Sequence, residues 1–231
     1  MKVILSGATG FIGGEVLNQA LIHPSITSLV CLTRKPLPEA IASIPKVKVI
    51  IINDFTSYSP EILSQLEGAE CCIWALGSPA HKSSNLEECR KIEIGYTHAA
   101  AEAFAKSLVP SLKAQGKSFR FVYLSGKFAE RETEKHLWFL HDSRTIKGTV
   151  ENGLLVIQEK EPSFEVSIAR PGGVLAKDTI LPNVLVGATM SIKVDELAAA
   201  MISEAVESSK GTRTFESDEL RKKGIEILKG R

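Results

Sequence analysis

Apolar and polar positions along this chain fall into blocks that predict strands followed by helices. Residues 3–6 form a short β-branched and apolar run ending at glycines, and after them Phe11, Ile12, Val16, Leu17, Ala20 and Leu21 fall on one side of a helix. Residues 28–33, 47–52 and 70–76 are near-continuous apolar runs and read as three more buried strands, with a helical stretch over 60–66 between the last two. Spacings of this length suit crossovers rather than hairpins, so the strands are expected to pair in parallel.

Helical spacing resumes over 86–114, with alanines clustered from 99 to 105, and predicts a long central helix. A fifth strand over 119–124 follows Gly116. Residues 135–158 begin as a polar loop and turn helical before Lys147, where Gly148 permits close packing. A sixth strand over 165–169 is ended by Arg170, Pro171 and Gly172, and 194–208 reads as an alanine-rich amphipathic helix. Together these predict an α/β fold with a doubly wound parallel sheet: a single domain over 1–231, with a small C-terminal portion after about residue 172.

Composition narrows the partner more than the fold. Apolar residues make 44% of the 231 and charged residues 24%, an ordinary globular mix, and a net charge of +1 gives no broad field for nucleic acid or an anionic membrane. No apolar run approaches the roughly 18 residues of a spanning helix, and the chain starts as a strand without the features of a signal peptide. The expected partner is a small, fairly apolar molecule, with no nucleic acid and no membrane, and the expected location is cytoplasmic. Cys31, Cys71, Cys72 and Cys89 lack the spacing of metal-ligand pairs and are expected as reduced core thiols, with no metal site.

The chemistry is concentrated in Gly7-Ala8-Thr9-Gly10-Phe11-Ile12-Gly13, set between an apolar strand and an amphipathic helix. The first glycine allows backbone angles other residues avoid, the middle one lets the main chain approach a pyrophosphate, and the third lets helix pack on strand. The helix that follows offers unpaired N–H groups to phosphates. A nucleotide-triphosphate P-loop is excluded, because no Lys followed by Ser or Thr closes the run. At the end of the second strand, where an NAD site offers Asp or Glu to the ribose 2′-hydroxyl, stand Thr33, Arg34 and Lys35. A guanidinium and an ammonium attract a 2′-phosphate, so NADP(H) is favoured over NAD(H).

With these segments in hand, the chain resembles the atypical short-chain dehydrogenase/reductase family, particularly its small NAD(P)-binding Rossmann members. The likeness places Gly7, Thr9, Gly10, Phe11 and Ile12 at the phosphates, the Asp54-Phe55 pair at the adenine, Ala75, Leu76 and Gly77 along the cofactor, and Pro171 and Gly172 beneath the nicotinamide. It also implies a Ser after the fifth strand and, on the next helix, a Tyr with a Lys four residues later, which together move the proton that accompanies hydride transfer. Ser125 and Lys147 stand at matching positions, but Ser143 occupies the place of the Tyr, and an alkanol holds its proton far more tightly than a phenol. Tyr58, Tyr96 and Tyr123 lie on other segments.

Ser125, Lys147 and Ser143 are therefore the candidate catalytic residues, with Lys147 also holding cofactor. His136 and His141 are possible proton donors, although exposed loop positions suit them better, and Asp142 is expected to pair with Arg144. Residues 179–190 could form a lid or simply pack. Three functions stay open: an NADP(H)-dependent oxidoreductase on a small carbonyl or alcohol, a catalytically degenerate NADP(H)-binding sensor or scaffold, and a non-redox lyase, isomerase or cyclase on the same fold. Oligomeric state is left open.

Overall fold

All six expected strands form, and every pairing among them is parallel. The computed structural model describes residues 1–78, 85–180, 185–186, 189–207 and 211–230. The main sheet contains β1 (Lys2–Ser6), β2 (Ser28–Thr33), β3 (Val47–Ile51), β4 (Ala69–Trp74), β5 (Phe119–Leu124), β6 (Phe164–Arg170) and β9 (Arg213–Glu216), in the order β3-β2-β1-β4-β5-β6-β9. The two-residue strands β7 (Val174–Leu175) and β8 (Ile192–Lys193) pair apart from it. The helices are α1 (Phe11–Ile22), α2 (Glu39–Ala42), α3 (Pro60–Leu66), α4 (Leu86–Arg90), α5 (Tyr96–Ser107), α6 (Val109–Lys113), α7 (His141–Lys160), α8 (Val194–Val206) and α9 (Ser217–Lys229).

Both faces of the sheet are covered, which is why its strands read as unbroken apolar runs. On β1, Ile4 enters one core while Val3 and Leu5 enter the other. Cys71 and Cys72 split between the two in the same way, and all four thiols are free and buried. The core holding α5 to α7 is aromatic, with Trp74 stacked on Phe121 at 5.9 Å and Phe119 on Phe164 at 5.7 Å. The opposite core is aliphatic, where α1, α8 and α9 pack together.

The long central helix expected over 86–114 is interrupted twice. Between α4 and α5 the chain makes a π-helical turn, Lys91–Gly95, and α5 gives way to α6 where Pro110 removes a backbone donor. The polar loop before α7 ends at Leu140, held at φ 48, so the helix starts at His141. The edge strand β9 and the helix α9 are additions to the predicted set. Ser208, the expected end of the alanine-rich helix, and residues 181–184 and 187–188 of the expected lid lie outside the described residues.

Candidate functional site

From β1 the sheet grows outward to β2 and β3, and the chain then crosses to β4 on the other side of β1. Loops at the carboxyl ends of β1 and β4 therefore diverge and open a crevice at this switch point. The crevice has a volume of about 500 Å³ and is lined by Gly10, Phe11, Ile12 and Gly13 from the first loop, Ala75 to Ser78 after β4, Leu124 to Gly126 after β5, Ser143, Ile146 and Lys147 of α7, and Pro171, Gly172 and Val174 after β6. Cys89 and Glu93 complete it.

Steric demands explain the glycines. Gly7 sits at φ +78, and a Cβ there would lie 2.5 Å from the Ala75 carbonyl oxygen. A Cβ on Gly13 would lie 2.1 Å from the Gly7 oxygen, so α1 can approach the loop only without a side chain at this position. Gly10, by contrast, lines the crevice and would meet nothing nearer than 3.3 Å. It caps α1 with no side-chain hydrogen bond, and the first turn carries no acid, so the leading N–H groups lack a side-chain partner at the crevice wall. Phe11 is 58% exposed instead of packing with the apolar face of its helix, and Thr9 is exposed outside the lining.

Parallel register sets Ser6 of β1 beside Leu32 of β2, which brings the 33–35 turn next to the glycine loop. Thr33 is buried and donates its hydroxyl to the Lys35 carbonyl at 2.7 Å, closing the turn, while Arg34 and Lys35 are exposed. Asp54 accepts both the N–H (2.9 Å) and the hydroxyl (2.7 Å) of Thr56, and these bonds hold its carboxyl below the usual range. Phe55 does not reach the crevice: it is completely buried between Trp74 and Tyr96, so its ring serves the core rather than an adenine.

Ser125, Ser143 and Lys147 converge on the crevice. The Ser125 hydroxyl donates to Oε1 of Glu151 at 2.5 Å. Glu151 has no exposure and also accepts from Arg131 Nε at 2.7 Å and Arg170 Nε at 2.9 Å. Burial pushes the Glu151 carboxyl up, but the Arg170, Ser125 and Arg131 donors outweigh it and hold it below the ordinary carboxylate range. Lys147 Nζ donates to Glu93 Oε2 at 2.9 Å and to the Leu124 carbonyl at 3.1 Å, and lies 5.1 Å from the centre of the Tyr123 ring. Burial pulls its ammonium down, yet Glu93 and Tyr123 more than offset this and keep it above the ordinary lysine range.

Glu93 has no counterpart in the sequence reading. It is 2% exposed, sits on the π-helical turn, and accepts the Ser78 N–H at 2.7 Å through its other oxygen. A signal was present, an acid inside an otherwise apolar helical face, but its partner Lys147 lies 54 residues away. His136 and His141 are exposed and outside the lining. Arg144 does not pair with Asp142: its Nε donates to the Phe128 carbonyl at 2.8 Å, fastening the loop that precedes α7.

Solved structures share this architecture at low sequence identity. MoeE5 in complex with UDP-glucose and NAD superimposes with a TM-score of 0.68 over 100% of this chain and 82% of its own, at 16% identity. Yeast methylglyoxal/isovaleraldehyde reductase Gre2 complexed with NADPH does so with a TM-score of 0.70 over 94% and 78%, at 15% identity. This chain has a Rossmann fold. No family model matches it. Among curated proteins, the leucinostatins biosynthesis cluster protein T of Purpureocillium lilacinum is 32% identical over 80% of the chain, which spans 62% of that protein's length. The mitochondrial protein FMP52 of Candida albicans is 29% identical over 80% of this chain and 81% of its own. Such names overturn the expected cytoplasmic location, because four relatives at 28–29% identity are called mitochondrial. Neither a signal-peptide pattern nor a membrane-spanning run bears on import into an organelle.

Proposed function

We propose that the crevice binds a nicotinamide dinucleotide, NADP(H) in preference to NAD(H), and that the protein is an oxidoreductase acting on a small, fairly apolar carbonyl compound or alcohol. The observation that carries this reading is the convergence of the Gly7–Gly13 loop, Ser125 and Lys147 on one crevice at the switch point of a Rossmann sheet. The open face of Gly10 and the leading N–H groups of α1 fit a pyrophosphate. Arg34 and Lys35, exposed beside them, fit a 2′-phosphate. The same crevice lined by Leu76, Ile146 and Val174 suits an apolar substrate.

When bound, the nicotinamide supplies or accepts the hydride. The chain's own part is to position it: Lys147 holds its ammonium at the crevice, facing the ribose and the reacting oxygen, and Ser125, its proton committed to Glu151, offers lone pairs to the hydroxyl of an alcohol. Ser143 in place of a phenol favours a second reading, a dinucleotide-binding protein without turnover or a non-redox enzyme on the same crevice.

Calorimetric titration with NADPH and NADH, then a carbonyl screen followed at the nicotinamide absorbance, separates the readings. The expected result is NADPH bound at least tenfold more tightly than NADH, with the difference lost in the double variant Arg34→Ala/Lys35→Ala, and NADPH consumed with at least one aldehyde or ketone. Binding without consumption across the panel selects the second reading, and no binding refutes both.

A further inference from the structure

We propose that the Glu93–Lys147 pair takes over the acid–base role of the absent phenol, with Lys147 giving its proton directly to the substrate oxygen and Glu93 acting as the positioning residue that keeps the ammonium charged and aimed into the crevice. This rests on the hydride-transfer reading above and names the proton donor that reading leaves open.

Among the described residues, each other group at the crevice is spoken for or held too tightly. The Cys89 thiol donates to the Ser78 carbonyl at 2.8 Å. The Ser125 proton goes to Glu151 at 2.5 Å. Ser143 is an alkanol, which releases its proton far less readily than a phenol of pKa about 10. Both Glu93 oxygens accept, from Ser78 N–H and from Lys147, so Glu93 brings no proton of its own. Tyr123 is completely buried on β5 and outside the lining, and the two histidines before Ser143 are exposed away from it. Lys147 remains. Two of its N–H bonds go to Glu93 and Leu124 and the Tyr123 ring lies 5.1 Å away, yet the ammonium's side chain still lines the crevice, where Ser143 one helical turn earlier is too small to cover it.

The step balances simply. As the carbonyl carbon takes a hydride from the reduced nicotinamide, the substrate C=O π bond opens onto oxygen, an Nζ–H bond of Lys147 breaks and an O–H bond forms. The products are alcohol, oxidised cofactor and neutral amine, and the amine regains its proton from water. An ammonium that holds its proton strongly still yields it to an alkoxide, which is far more basic. The groups facing Lys147 are Glu93 from the π-helical turn, Tyr123 from β5 and Cys89 from α4, with Glu151 one turn further along its own helix. Of these, Glu93 is the carboxylate bonded to the ammonium, so its loss removes the largest opposition to burial, leaving only Tyr123, and lowers the pH at which the proton is lost.

Three variants and one chemical measurement test this. Lys147→Arg keeps the charge but cannot release a proton, so at NADPH concentrations that saturate it by fluorescence titration it should lose carbonyl turnover at least 100-fold. Turnover within tenfold of wild type would overturn the donor assignment while leaving the hydride-transfer reading intact. In Glu93→Gln the alkaline limb of kcat/KM should move to lower pH by at least one unit, and an unmoved limb refutes the role of Glu93. Ser143→Tyr restores a phenol beside Lys147 and should raise turnover at neutral pH; no gain in a folded variant that binds NADPH counts against the crevice lacking only that group. The fourth measurement needs neither cofactor nor turnover. Competitive acetic anhydride labelling of the ligand-free protein, read by mass spectrometry at Lys147, should give a titration midpoint above the free lysine value of about 10.4 in wild type and a lower one in Glu93→Gln. Equal midpoints overturn the pairing even if Lys147→Arg fails to fold. A wild-type protein that binds NADPH but reduces no carbonyl refutes the underlying reading and this inference with it.

Discussion

Glu151 accepts hydrogen bonds from three side chains, two in the loop after β5 and one at the end of β6, while lying entirely out of water. Burying a carboxylate is costly unless it is fully paired, and removing one partner of such a group leaves the others uncompensated. Glu151→Ala should therefore cost about 3 kcal/mol in urea unfolding, the lower end of the range for broken buried pairs, because Arg131 is 36% exposed and its share is screened. The sign with pH follows from the depressed carboxyl: its contribution is present at neutral pH and is lost as pH falls below about 4, so the variant should show a shallower acid limb than wild type. Ser125 and Lys147 were legible as site residues because the resemblance to short-chain dehydrogenases/reductases marks their positions, one after the fifth strand and one on the helix that follows. The roles of Glu93 and Glu151 were not, because each depends on groups 15 to 54 residues away that only the fold brings together.

Elements follow the same division. Buried parallel strands announce themselves as apolar runs, and the glycine loop is legible because each glycine answers a backbone contact. The strand β9 is only Arg-Thr-Phe-Glu, an edge strand with one buried side chain, which local pattern cannot tell from a loop. The π-helical turn is equally silent, since one residue of extra winding leaves the apolar spacing almost unchanged. Gly148 is the sharpest test at this scale. A Cβ there would lie 1.6 Å from the Glu130 carbonyl oxygen, so α7 touches the loop after β5 along bare backbone. Alanine in mid-helix gains roughly 1 kcal/mol in propensity, but forcing a methyl into closed packing costs roughly 1–3 kcal/mol. The clash is with rigid backbone and should win: Gly148→Ala is expected to lower the urea midpoint at unchanged m-value, against what propensity alone predicts.

For the molecule as a whole, the crevice draws on both halves of the sheet, with walls from β1, β4, β5 and β6. A dinucleotide bridging them should stabilise the entire domain rather than one loop. At a hundredfold excess over Kd the linkage is about 2.7 kcal/mol, which for a chain of this size raises Tm by roughly 5–11 °C. NADPH should give this shift in a thermal melt and equimolar NADH a smaller one; equal shifts would refute the preference assigned to Arg34 and Lys35.

The four buried thiols also make the protein a clock for its own opening. Cys31, Cys71 and Cys72 lie at the centre of the sheet, so a disulfide reagent can reach them only when the sheet comes apart, and their reaction should follow one slow exponential set by global unfolding. Cys89, buried to 1% but at the crevice wall, should react faster and by a separate route, and NADPH should slow it by more than its effect on the other three. The ratio of the two rates then reports, in a single time course, how often the crevice breathes for each time the whole fold is lost.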